Sequence, residues 1–373
     1  MKVALIQDWL TVIGGSEKVF KEIATLYPDA DIYTLVAREE TIKALNLSGH
    51  KVTTSFIQNL PFAKKRYRSY LPLFPLAIEQ FDLSGYDLVI SSSHAVAKGV
   101  LTNSNQIHIC YCHSPVRYAW DLYHQYINES GLNKGIKGII VKYFLHRLRQ
   151  WDIISTNRVD YFIANSKCIS KRIKKTYGRE SKVIYPNVAT EDFSPVEIKK
   201  DYYVTCSRFV PYKKIDLIVS AFAKMPDKKL YIIGDGPDLK KISKLVKPNT
   251  VMLGHLPFIE LKQYLATAKA FVFAAEEDFG ILPVEAQACG TPVIAYKRGG
   301  ALESIIENKT GVFFTEQSVD SIISAVNTFE NTFMFLNCSD IVKHAAGFST
   351  DRFKNEFLSF VNEKISARNA ESI

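Results

Sequence analysis

The chain has 373 residues, 47% of them hydrophobic and 23% charged, with a net charge of +9. That length exceeds one ordinary core and suits two domains, and the composition is that of a folded globular protein, not a disordered one. No apolar run approaches the roughly 20 residues of a membrane span, and the chain enters an apolar strand at once, without a secretory leader pattern.

Val3 to Trp9 reads as the first strand. Gly14-Gly15 then leads into a helix from Ser16 to about Leu26, with apolar residues at helical spacing (Val19, Phe20, Ile23, Ala24). Further strands are predicted at Asp31–Val36, Asp87–Ser91, Ile107–His113 and Tyr161–Ala164. Residues 56–82 are broken by Pro61, Pro72 and Pro75 and read as a surface loop or short amphipathic excursion. Ile136 to Trp151 reads as a long helix with Lys137, Lys142, Arg147 and Arg149 among aliphatic and aromatic residues. Core packing and interfacial membrane contact both suit it.

After a proline-bearing link at 186–195 the alternation restarts. Strands are predicted at Tyr202–Cys206, Leu230–Gly234, Val251–Leu253, Ala270–Ala275, Val293–Tyr296 and Gly311–Phe314, with helices at Ile215–Phe222, Leu239–Val246 and Ser318–Phe329. Alternating strands and helices imply parallel sheets covered on both faces. The expected architecture is α/β: two Rossmann-like doubly wound domains facing a central cleft, at 1–190 and 196–349. A last helix within 350–373 returns to the first domain.

Charge is unevenly spread. No acidic residue lies between Glu40 and Glu79, yet Lys64, Lys65, Arg66 and Arg68 do, and a second basic stretch runs from Lys134 to Lys182. Such surfaces suit lipid headgroups, a pyrophosphate-bearing acceptor or nucleic acid. No helix-turn-helix or RNA-platform motif supports the last. The six cysteines are scattered in apolar contexts and read as reduced packing residues of a cytosolic protein.

The most informative segment is Glu276 to Pro292. A buried strand ends in an acidic turn, and a helix follows with Pro283 in its first turn and Gly290 after its end. Glu277 and Glu285 flank the backbone of Phe279, Gly280, Ile281 and Leu282 at the positive end of a helix dipole. Carboxylates there suit sugar hydroxyls, and amides suit phosphate. Arg208 and Lys213 follow the first strand of the second domain, where a guanidinium fork and a point charge can hold a phosphate. Gly234-Asp-Gly236-Pro is a glycine turn at the next strand end. His113 closes a strand of the first domain near Arg117 and reads either as a structural residue or as a site residue. Gly14-Gly15 lacks the dinucleotide fingerprint, leaving a plain turn or a close ligand approach. No metal-ligand spacing is found.

Taken together, these segments resemble retaining glycosyltransferase family 4, of the GT-B fold, and most of all the mannosyltransferases of bacterial O-antigen and exopolysaccharide assembly. The resemblance rests on Ser207-Arg208-Phe-Val-Pro-Tyr-Lys213-Lys-Ile-Asp216, Gly234-Asp-Gly-Pro237, Gly254-His255-Leu256, the E-x7-E segment Glu277 to Glu285, Gly14-Gly15, and Tyr111-Cys-His113-Ser-Pro-Val-Arg117-Tyr-Ala-Trp120.

It implies that Arg208 and Lys213 neutralise the leaving diphosphate without a metal, and that Gly15 admits the donor phosphate or acceptor. Glu277 with the amides of Phe279, Gly280 and Ile281 would hold the donor sugar. Glu285 would bind the ribose, and His113 would contact the sugar near the reacting carbon. Gly236, His255 and Leu256 would line the nucleotide. Glu277 is preferred to Glu276 because it stands eight positions before Glu285. No cofactor is expected beyond the co-substrate, favoured as GDP-mannose, with a UDP-hexose as the alternative and a non-catalytic binding protein as a second. Residues 61–76, with Arg117, fall on the acceptor side. The expected partners are a polyprenyl-diphosphate-linked glycan and an anionic membrane surface on the cytoplasmic face, leaving room for other enzymes of the pathway but not for nucleic acid.

Overall fold

A computed structural model describes residues 1–129, 134–333 and 336–371, and the chain divides into two compact units. The first is Met1–Tyr185 with Lys354–Ile373; the second is Pro186–Phe353. The changeovers fall a few residues from those expected at 190 and 350. Residues 186–195 are no free link: Val188 bridges Ser349, and Phe193 packs edge-on against Phe258 at 5.6 Å, all within the second unit.

The first unit carries a seven-stranded parallel sheet: β1 (Val3–Gln7), β2 (Asp31–Thr34), β3 (Val52–Thr54), β4 (Leu88–Ser93), β5 (Ile107–Cys112), β6 (Tyr161–Ala164) and β7 (Ser181–Val183). Their order is β3-β2-β1-β4-β5-β6-β7. β1, β4 and β5 are buried along their whole length, because helices cover both faces of the sheet. The chain steps outward from β1 to β3 and re-enters on the other side of β1 at β4. This leaves a switch point between β1 and β4, where open parallel sheets hold ligands.

Residues 56–82 correct one of the two sequence readings, the surface loop. They are not a surface loop but a run of short helical turns (Phe56–Asn59, Ala63–Arg66, Tyr67–Leu73 and Phe74–Glu79). Tyr67, Phe74, Ala77 and Ile78 enter the core around Trp9, with the Trp9 and Tyr67 rings 5.0 Å apart. The prolines punctuate the turns, while aromatic burial holds the segment down. Lys64, Lys65, Arg66 and Arg68 remain exposed.

The long helix spans Gly135–Ile154 and is fastened at its C-terminal end. The buried Asp152 carboxylate meets Lys98 Nζ at 2.7 Å and accepts from Trp120 Nε1 at 2.8 Å and from the Tyr177 hydroxyl. Trp151 donates to Glu79 at 2.7 Å. A buried pair of this kind holds only because its remaining polar atoms are satisfied. The last helix, Thr350–Glu371, runs into the first unit, burying Phe357, Phe360 and Val361, and Arg368 donates to the carbonyls of Gln106 and Ser104.

The second unit has a six-stranded parallel sheet: β8 (Tyr203–Cys206), β9 (Leu230–Ile233), β10 (Thr250–Gly254), β11 (Ala270–Phe273), β12 (Val293–Tyr296) and β13 (Gly311–Phe314). The order β10-β9-β8-β11-β12-β13 puts its switch point between β8 and β11. Its core gathers Tyr203, Phe209, Phe222, Ile232, Val272 and Ile294. Among the described residues, no helix is long and apolar enough to cross a membrane.

Candidate functional site

In the second unit the predicted residues converge on the strand ends at the β8–β11 switch point. Arg208 stands just past β8, is exposed, and its guanidinium has no ion pair among the described residues. Ser207 beside it is buried, and its hydroxyl has no hydrogen-bond partner among the described residues. An unsatisfied buried hydroxyl next to a free guanidinium suits a phosphate oxygen.

Lys213 ends a short helical turn (Pro211–Lys213), and its ammonium forms an ion pair with Glu277, which follows β11. The sequence reading gave Lys213 to the diphosphate and Glu277 to the sugar. The structure brings the two charges into contact, so a ligand that takes both must divide them. Cys206 registers Lys213 together with Glu285: burial pushes its thiol up to about 12, Glu285 adds to the rise, and Lys213 opposes it.

Helix Ile281–Ala288 begins after Gly280, whose φ of +87° is the left-handed turn that favours glycine. Ile281 and Leu282 occupy its first turn, where backbone N–H groups lack intrahelical partners. Glu285 is buried one turn on. The turn before the helix leans on Gly299-Gly300: the Gly300 N–H donates to the Glu277 carbonyl at 2.8 Å, and a Cβ on Gly300 would lie 2.2 Å from Phe279 Cα. This brace was not foreseen from the sequence.

The glycine turn after β9 is equally tight. Gly234 has φ of +136°, donates to the Gly254 carbonyl at 2.8 Å, and a Cβ on it would lie 1.9 Å from the Ser207 carbonyl. A Cβ on Gly236 would meet Phe209 N at 2.7 Å. These glycines let the β9 loop lie against the loop bearing Arg208. His255 and Leu256 follow Gly254 at the end of β10, with His255 exposed. Gly234→Ala is expected to cost about 2–3 kcal/mol, from strain at positive φ plus the carbonyl clash. A urea-unfolding midpoint unchanged from wild type would contradict this packing.

In the first unit the cluster lies at the β1–β4 switch point. Gly14 caps helix Gly15–Leu26, and its N–H donates to the Glu17 carboxylate at 2.9 Å, so the chain's own acid sits at this helix start. His113 follows β5, is nearly buried, and shares a 2.8 Å hydrogen bond between Nε2 and Ser92 Oγ. Burial, with help from His94, pulls its pKa down to about 3, so the ring is neutral. Arg117 is half-buried.

Two residues here escaped the sequence reading. Asp8 is fully buried after β1, and its carboxylate accepts four backbone N–H groups, from His94, Ala95, Val96 and Ala97, at 2.6–2.9 Å. His94 Nδ1 lies 3.0 Å from Asp8 Oδ2, an ion-pair distance, although the ring N–H is not aimed along it. The His94 ring also meets Trp9 edge-on at 4.5 Å. Burial pulls the His94 pKa down, but Asp8 outweighs it and the net shift is upward. The available signal was an acid directly after a strand and before Gly14-Gly15; its partner, far along the chain, was not readable.

Two family models match adjoining parts of the chain: Glycosyltransferase Family 4 over residues 13–192 and Glycosyl transferases group 1 over residues 189–332. A GDP-mannose-dependent alpha-(1-6)-phosphatidylinositol monomannoside mannosyltransferase of Mycolicibacterium smegmatis is 29% identical over 46% of the chain and 53% of its own length. An uncharacterized glycosyltransferase of Methanocaldococcus jannaschii is 28% identical over 84% of this chain and 83% of its own. The matches to the mycobacterial mannosyltransferases thus span about half the length of those relatives. Among solved structures, Anabaena HepE in complex with UDP-glucose aligns with TM-score 0.71 and 19% identity, over 97% of this chain and all of that one. Sucrose-phosphate synthase of Thermosynechococcus elongatus aligns with TM-score 0.74 and 16% identity, over 98% of this chain and all of that one.

Proposed function

Because the chain belongs to glycosyltransferase family 4 and has the GT-B fold, we propose that it moves a hexose, mannose from GDP-mannose, onto a polyprenyl-diphosphate-linked glycan of a cell-surface polysaccharide. The observation that carries this reading is the strand-end cluster of the second unit: free Arg208, unpartnered Ser207, and the Lys213–Glu277 pair beside a helix N-terminus.

In this reading Arg208, Lys213 and Ser207 take the diphosphate, and no metal is needed because the protein's cations supply the charge. Glu277 and the start of helix Ile281–Ala288 take the sugar, and Glu285 the ribose. The bond from the anomeric carbon to the phosphate oxygen breaks, and the acceptor oxygen bonds to that carbon on the same face. The acceptor proton passes to the leaving phosphate, so configuration is retained without a separate protein base. In the first unit, Gly15, His113 and Arg117 serve the reaction, and exposed Lys64, Lys65, Arg66 and Arg68 face the membrane at its cytoplasmic side.

Mannose and GDP rest on relatives named for GDP-mannose at modest identity. A UDP-hexose donor is the second reading, favoured by the UDP-glucose complex of a fold neighbour. A panel of labelled GDP- and UDP-sugars, scored for hydrolysis and for transfer to a lipid-diphosphate acceptor, separates them. GDP-mannose is expected to turn over. UDP-glucose turnover without GDP-mannose turnover would overturn the donor assignment, and binding without turnover of any sugar would leave a non-catalytic binding protein.

A further inference from the structure

Helix Gly135–Ile154 has two apolar stripes, and the core needs only one. Leu145, Leu148 and Asp152 are buried. On the opposite side Ile136, Ile139, Ile140, Tyr143 and Phe144 recur at spacings of three and four, which aligns them on one face. That face is open: Ile136 is 76% exposed, Ile139 69% and Tyr143 60%. Isolated exposed apolar residues are ordinary, but five in register form a patch that wants a partner.

Beside the helix lies a groove of about 570 Å³, within the size range of ligand sites. Leu71, Pro72 and Pro75 form one wall, and Phe144, Leu148 and Trp151 the other. Its lining is mostly apolar, and Arg68 and Arg147 stand on it.

The charge pattern selects the occupant. No acidic residue lies in 135–151. Lys137, Lys142, Arg147 and Arg68 are exposed and have no acidic partner among the described residues. A second copy of this face would bring uncompensated cations against one another. An anionic bilayer offers headgroups for the cations and hydrocarbon for the stripe, as interfacial helices require. The helix suits such a load, since its far end is pinned by the buried Asp152–Lys98 pair while Ile136, Ile139 and Ile140 near its start are exposed.

We propose that helix Gly135–Ile154 lies in the interface of an anionic bilayer and that the groove beside it holds one lipid hydrocarbon chain. This deepens the reading of a lipid-linked acceptor and rests on it for the purpose of the contact.

The test uses the full chain and vesicles of phosphatidylcholine, with or without phosphatidylglycerol. Flotation is expected with the anionic vesicles only, weakening with salt, and brominated acyl chains are expected to quench tryptophan emission. Trp151→Phe should remove most of that quenching. The double variant I139E/Y143E, altered only at exposed positions, should lose vesicle binding at least tenfold while hydrolysing the donor as wild type does. Vesicle binding unchanged in the double variant, or concentration-dependent dimerisation that the double variant abolishes, would overturn the inference. Failure of the functional reading looks different: no nucleotide sugar is consumed, yet wild type still floats and the double variant does not.

Discussion

Arg208→Ala is expected to reduce glycosyl transfer by about 10²–10³-fold in kcat, the loss typical of removing one preorganised donor from a site where charge develops. Stability should change by no more than about 0.5 kcal/mol, because the side chain is exposed and bonded to nothing that would be left wanting. The split between constants is the informative part. A guanidinium that only binds the donor would raise KM and spare kcat; one that meets charge on the departing diphosphate lowers kcat. Arg208→Lys should recover part of the rate, since it keeps the charge and loses the planar fork. Lys213→Ala should behave differently, because it also strips Glu277 of its cation. Its KM and kcat should both worsen, as a freed carboxylate repels the diphosphate. A wild-type kcat in Arg208→Ala would remove the clamp from the mechanism.

How far the sequence carried depended on whether a feature was local. β12 and β13 are read to the residue, since short apolar runs bounded by turn residues leave little choice. β3 and β7 were missed: each has three residues and lies at a sheet edge, so neither shows a buried apolar run. Helix Lys167–Tyr177 was passed over among its charges, although Ser166 caps its start and Gly178 its end. The loop reading of residues 56–82 fails because proline reports on the backbone and says nothing about whether Tyr67 and Phe74 are buried.

The site divides in the same way. Glycine turns, the helix start and Arg208 at a strand end are local signals, and each lies where the pattern put it. The Lys213–Glu277 contact, the Gly300 brace and the Asp8–His94 pair join distant segments, and only the strand order brings them together. The inner face of helix Gly135–Ile154 packs as core, as one reading of that segment has it, while the outer face stays bare.

Asp8→Ala is expected to cost about 3–5 kcal/mol, the range for removing one partner of a buried charge. The reason lies in the donors left behind: four backbone N–H groups between β4 and the following turn lose their acceptor in a place water does not reach. Asp8→Asn should cost less, because the amide oxygen still accepts, but its NH2 group then faces two of the donors. The pH dependence gives an independent check. Burial pushes the Asp8 carboxyl up, yet His94 and the backbone donors outweigh it and hold the pKa at about 2. A folded-state value below the unfolded one means that ionised Asp8 stabilises the fold above about pH 4. The contribution, about 2 kcal/mol, is lost as pH falls from there through about 2. The fall in melting temperature over that interval should therefore be shallower in Asp8→Asn than in wild type. His94 reports the same pair from the other side. Its raised pKa depends on the carboxylate, so NMR titration of Asp8→Asn should find it lowered. A His94 pKa that stays where it was would mean that Asp8 serves the backbone alone, and that the imidazole at the β1–β4 switch point is held by something else.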